Sequence, residues 1–95
     1  MLSLGSTNIS LIGRILVKRP DALNDSKAEG VVVVEIIVDE SGNVITAIPG
    51  QRGSTTTNAG LFEKAKQKAF EAKFSSSSDG IKEQRGFYTF VFTLE

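Results

Sequence analysis

Residues 30–48 read GVVVVEIIVDESGNVITAI, and this stretch decides the fold. Val32, Val34, Ile36 and Val38 share one parity while Glu35 and Asp39 hold the other. That period of two puts an aliphatic stripe on one face of a strand and carboxylates on its back, the pattern of a half-buried antiparallel strand. Asp39-Glu40-Ser41-Gly42-Asn43 supplies a turn, with Gly42 and Asn43 as the residues that tolerate positive φ between β-branched neighbours. Val44 to Ile48 returns as the second strand, so the stretch predicts a β-hairpin.

Downstream, residues 49–58 read PGQRGSTTTN, a run of turn and cap residues that cannot continue the strand. Asn58, with Thr57 as its rival, is placed to cap a helix that runs to about Lys73. Leu61, Phe62, Ala65, Ala69 and Ala72 recur at helical spacing as one narrow stripe, while Glu63, Lys64, Lys66, Lys68 and Glu71 cover the solvated remainder. The alanines are small enough for the helix axis to lie close over a sheet, with Phe62 and Phe74 filling the ends. SSSSDG at 75–80 reads as an exposed, mobile linker. Gly86 to Leu94 then alternates Tyr88, Phe90, Phe92 and Leu94 against Phe87, Thr89, Val91 and Thr93. It is a third long strand, whose first set meets the helix and whose second faces solvent or a neighbour.

Upstream, MLSLGSTNIS at 1–10 lacks periodicity and reads as a flexible lead-in. Leu11 to Lys18 reads as a short strand weakened by Gly13 and ended by Pro20. Residues 21–29 suit a turn of helix or an irregular loop. The expected architecture is α+β: an antiparallel sheet of three to four strands with one main helix on one face, built on a β-β-α-β core within a single domain at 11–95.

Composition narrows the functional classes. The chain has 95 residues, 11 basic against 11 acidic, and neither Cys nor His. A neutral total weighs against nucleic acid or an anionic membrane as the main partner, since both require a sustained basic field. The missing Cys and His remove thiol nucleophiles, imidazole bases, disulfides and the usual zinc ligands. No nucleophile–base pair or carboxylate dyad is identifiable, so no enzyme activity, catalytic residue, metal or cofactor is expected. The Gly50 to Ser54 loop stands between a strand and a helix, as phosphate-cradling loops do. It lacks the Lys-Ser/Thr ending of a nucleotide loop and reads as a solvated connection.

With these elements in order, the chain resembles the C-terminal domain of the TonB family, energy transducers of Gram-negative bacteria. The resemblance rests on Pro20, on Gly30 through Val38-Asp39 with Gly42 and Val44, on Leu61 with Ala65 and Ala69, on Phe74, and on the Gly86 to Leu94 strand. It spans residues 14–94. Gly13-Arg14-Ile15-Leu16-Val17 and the Pro49 to Asn58 loop look like the versions in Bacteroidetes-type members. The family's Pro-rich spacer and membrane anchor do not occur in this sequence, which implies an excised domain.

The resemblance implies a periplasmic domain of an inner-membrane-anchored protein, driven by a proton-powered motor complex. It would bind the TonB box of outer-membrane receptors and transmit force for active transport, siderophore uptake included. On this reading the last strand has a free edge, and Gln84, Arg85, Gly86, Phe87, Tyr88, Thr89, Phe90, Val91 and Phe92 receive the receptor peptide by strand addition, with Lys18 and Arg19 nearby. Backbone bonds at about 1 kcal/mol each barely exceed the cost of ordering the peptide, so side-chain grip from Phe87, Thr89 and Val91 is expected as well. The alternative is a self-assembling domain whose edge strand pairs in a homodimer.

Overall fold

The computed structural model describes residues 2–11, 14, 16–18, 23–24, 29–77 and 79–94. Its elements are β1 (Leu2–Ser10), β2 (Leu16–Lys18), β3 (Leu23–Asn24), β4 (Gly30–Asp39), β5 (Val44–Ile48), α1 (Ala59–Glu71), β6 (Lys73–Phe74) and β7 (Glu83–Leu94). Five strands form one sheet in the order β3-β1-β7-β4-β5, and β2 pairs with β6 in a separate ribbon. All pairings are antiparallel. The protein is a small α+β fold with one helix packed on an antiparallel sheet, as the sequence predicts.

The hairpin forms where periodicity places it. Val32, Val34, Ile36 and Val38 are fully buried, and the β4–β7 register runs unbroken from Gly30–Phe92 to Asp39–Glu83. Asn43 does not use positive φ, contrary to the sequence reading; Gly42 alone does, at +94°. Asn43 instead donates its amide to Asp39 Oδ1 at 2.8 Å and accepts at its carbonyl from the Asp39 amide at 2.9 Å. A Cβ on Gly42 would stand 1.9 Å from the Phe74 carbonyl oxygen, so this turn lies against β6 and only glycine fits the contact.

Asn58 caps α1, its side chain accepting from the Leu61 amide at 3.0 Å. The helix stops at Glu71, two residues before the expected end, because Lys73 and Phe74 are drawn into β6 by pairing with β2. Leu61, Ala65, Ala69 and Ala72 are buried and Phe62 lies at the margin of the core. Lys68, expected on the solvated face, is only 7% exposed, and its ammonium reaches Glu71 at 3.9 Å. Its stem is long enough to cover apolar surface while the charge stays near water. The buried face of β7 carries an aromatic file: Tyr88 stacks on Phe90 at 4.3 Å between ring centres, and Phe74 meets Tyr88 edge-on.

Four expectations for the connecting segments are corrected. Leu2–Ser10 is a strand, not a flexible lead-in: β7 would otherwise present a row of open backbone groups, and β1 satisfies them. This strand and β3 raise the sheet from the expected three or four strands to five. Among the described residues of 11–18, Leu16–Lys18 is strand, paired with β6 outside the main sheet. Leu23–Asn24 is extended rather than helical and pairs with the start of β1. The 75–80 linker is tied down at its start, the Ser77 amide donating to Glu40 O at 2.9 Å. Pro20, Arg19, Gly13 and the remainder of 21–28 lie outside the described residues.

Candidate functional site

The expected site on the last strand divides by parity. Tyr88, Phe90 and Phe92 are buried in the core, so they offer a partner backbone only. Phe87 is 40% exposed on the opposite face, with Thr89 and Val91 half-buried beside it. Gly86 is buried and Gln84 half-buried. The Arg85 guanidinium is exposed and reaches Glu35 across the sheet at 3.7 Å. Lys18 lies on β2, away from this strand in the sheet order, and Arg19 lies outside the described residues.

The free edge expected for β7 is not open. β7 is an inner strand, flanked by β4 and β1. The β1 ladder runs from Leu2–Leu94 to Ser10–Phe87, with a register shift between Leu4 and Thr7. It ends there. Among the described residues Arg85 and Gly86 have strand partners only on β4, namely Ile37 and Ile36. The outer edges of the sheet are β3 and β5, and on β5 Ile45 and Ile48 are exposed.

The Gly50 to Ser54 loop has a structural task that its sequence half discloses. β5 pairs with β4 only from Glu35 onward, so the first half of β4 would be left open on that side. The loop closes it. The amides of Gln51 and Thr55 donate to the carbonyls of Val33 and Val31 at 3.0 and 2.9 Å. In return the Val31 and Val33 amides donate to the hydroxyls of Thr55 and Ser54, each at 2.9 Å. With the Ser54 amide donating to Gln51 O as well, two of the loop's amides and that of Thr55 just after it are committed to protein acceptors instead of converging on a phosphate.

The loop also wraps around the edge of β4. Gly50 abuts the Phe62 ring on the helix face, and Gly53 lies on a Val33 methyl on the other. There it forms one wall of an open groove of about 540 Å³, floored by Val33 and Thr89 and bounded by Gln51, Arg52, Gly53 and Phe87. Sequence reasoning selected Phe87 and Thr89 but not Val33, Gln51 or Arg52, because the loop's return onto the sheet leaves no periodic signal. Arg52 has no ion pair among the described residues.

The Asp39 carboxyl titrates away from its ordinary value. The Asn43 amide holds its carboxyl below the ordinary value of 3.8 against an opposing desolvation, helped by the Asn43 side chain and the amides of Ser41 and Gly42. Its bonds stay within the turn, so it is a structural carboxylate. Among the described residues no three His, Cys, Asp or Glu side chains gather as a metal site, and no helix is long and apolar enough to cross a membrane. Comparison with protein-family models, curated proteins and solved structures gives no match.

Proposed function

We propose that this domain is a partner-binding, force-transmitting module of the kind the TonB resemblance implies, in which a segment of an outer-membrane receptor takes the place of β1 on β7. The observation that carries the reading is the contrast between the two ladders on β7. Its β4 side is unbroken over the length of β4, whereas its β1 side is interrupted between Leu4 and Thr7 and stops at Phe87. β1 is also poor in strand formers, with Gly5 and the small polar Ser3, Ser6, Asn8 and Ser10. Arg85 and Gly86 provide a starting point beyond the end of β1, from which an incoming strand displaces it residue by residue. Exchange of one strand for another replaces most backbone bonds as they break, so the cost of ordering falls mainly on the newcomer.

In this reading the domain works in the periplasm, at the end of a protein anchored in the inner membrane. Pull along a strand lying in the sheet is resisted by many backbone bonds at once, which suits a module that must hold a load.

The test is titration of isotope-labelled protein with a TonB-box peptide from a cognate receptor. Amides of Arg85 to Phe87 shift first, those further along β7 follow, and β1 amides lose their exchange protection. Shifts confined to other elements, or none at millimolar peptide, would sink strand exchange on β7. A second reading, self-assembly, is favoured by the outer edge of β5 with exposed Ile45 and Ile48. Sedimentation over a concentration series separates the two, since pairing of β5 with its copy gives a dimer without any peptide.

A further inference from the structure

We infer that the groove beside β7 is a side-chain pocket for an aromatic residue of the strand that occupies the β1 position. The inference rests on the strand-exchange reading and adds what the incoming strand must carry. The ladder sets the geometry: Asn8 pairs with Thr89, and Thr89 pairs in turn with Val33 on β4. Directly opposed residues of an antiparallel pair share a face, so a residue at the Asn8 position stands beside Thr89 on the groove side. Neighbouring strands are about 4.8 Å apart, and a phenylalanine ring extends far enough to cross Thr89 and rest on Val33. Thr89 is small, so the path is open.

The chemistry of the walls selects an aromatic. Val33 is a buried aliphatic floor, and Phe87, 40% exposed, offers a ring for offset or edge-on contact. Arg52 at the rim has no ion pair among the described residues, and its guanidinium can lie over an aromatic face. The adjacent Arg85–Glu35 pair at 3.7 Å is internally neutral and adds no net charge to attract an ion. In this chain the register positions opposite Thr89 and Phe87 hold Asn8 and Ser10, neither of them aromatic. An aromatic residue there is what would let a partner strand outcompete the resident one.

Two blocked peptides test this against the 95-residue chain: a copy of residues 2–10, and the same copy with Asn8→Phe. The aromatic peptide is expected to bind about fivefold tighter, with the advantage lost in the Arg52→Ala and Phe87→Ala proteins. Equal affinities, with β7 amides shifting for both, would overturn the pocket and leave strand exchange standing. No β7 shift with either would overturn both. Within the chain, the Asn8→Phe variant reports without displacement: its ring protons contact the Val33 methyls. A ring free of such contacts while β1 amides stay protected would also overturn the pocket.

Discussion

Arg14 donates from Nη1 to the main-chain oxygen of Asp39 at 3.0 Å, across 25 residues of sequence. The same nitrogen donates to Ser75 O at 3.0 Å. One guanidinium therefore ties the segment after β1 to the tip of the hairpin and to the start of the linker beyond β6. Arg14→Met keeps the aliphatic stem and deletes both bonds, and is expected to cost about 2 kcal/mol in urea unfolding. The loss is moderated because Nη2 is buried without a hydrogen-bond partner, so its removal relieves a desolvated donor. Lysine restores the charge but not the planar fork, and recovers only part of the stability.

Gly42→Ala tests how tightly the hairpin turn is held to β6. An added Cβ would meet the Phe74 carbonyl at 1.9 Å, in a backbone conformation that L side chains rarely adopt. Strain and collision act together, and a loss of at least about 2 kcal/mol is expected. The specific readout is amide exchange at Phe74, whose N–H donates to Gly42 O at 2.9 Å. That amide exchanges faster in the variant even where the fold persists, and unchanged protection would refute the contact.

Acid should act on the same turn. The folded-state pKa of Asp39 is depressed, so the folded protein favours the carboxylate. The stabilisation is complete above the unfolded value of about 4 and is lost as pH falls below it through the folded value. In a carboxyl-detected titration Asp39 has a midpoint below 3.8, and the Asn43 amide shifts with it. Asp39→Asn abolishes this acid-limb contribution and leaves the pH dependence due to other carboxylates intact.

The loop hydroxyls are expected to matter through two amides. Ser54→Ala and Thr55→Val each remove an acceptor that closes the edge of β4, at Val33 and Val31 respectively. Each change costs about 1 kcal/mol, and exchange accelerates at the one amide that lost its partner. Should the effect instead spread evenly over β4, the loop would be a general packing element rather than a strand cap.

How much of this was legible follows from how local each signal is. The aliphatic parity of β4, the Asn58 cap and the aromatic face of β7 are written within a few residues and appear where periodicity puts them. β1 is different. Its register positions opposite Leu94, Phe92, Phe90 and Tyr88 are Leu2, Leu4, Thr7 and Ile9, which change from even to odd at the register shift. An irregularity that inserts a residue erases the period of two on which sequence reading depends. The Val33 groove was hidden for a related reason: the loop that walls it reaches β4 through hydroxyls and glycine contacts that any solvated loop could contain. For the candidate site this mattered most. Phe87 and Thr89 were identifiable from alternation, but the occupant of the neighbouring edge was not.

The helix gives a last test, which contrasts two neighbouring positions. Ala69 is fully buried against the sheet, whereas Phe70 is 44% exposed on the outer side of α1. The closeness of the helix to β4 and β5, on which it mainly packs, depends on small residues at the contact. Ala69→Leu forces the helix outward or its neighbours off their rotamers and is expected to cost about 1–3 kcal/mol, despite adding apolar surface. Phe70→Ser removes a side chain nearly half of which is already in water, and is expected to cost only about 1 kcal/mol. Thermal melts of both variants decide the matter. A stabilised Ala69→Leu protein would mean that the interface has room, and the close approach of helix to sheet would have to be abandoned.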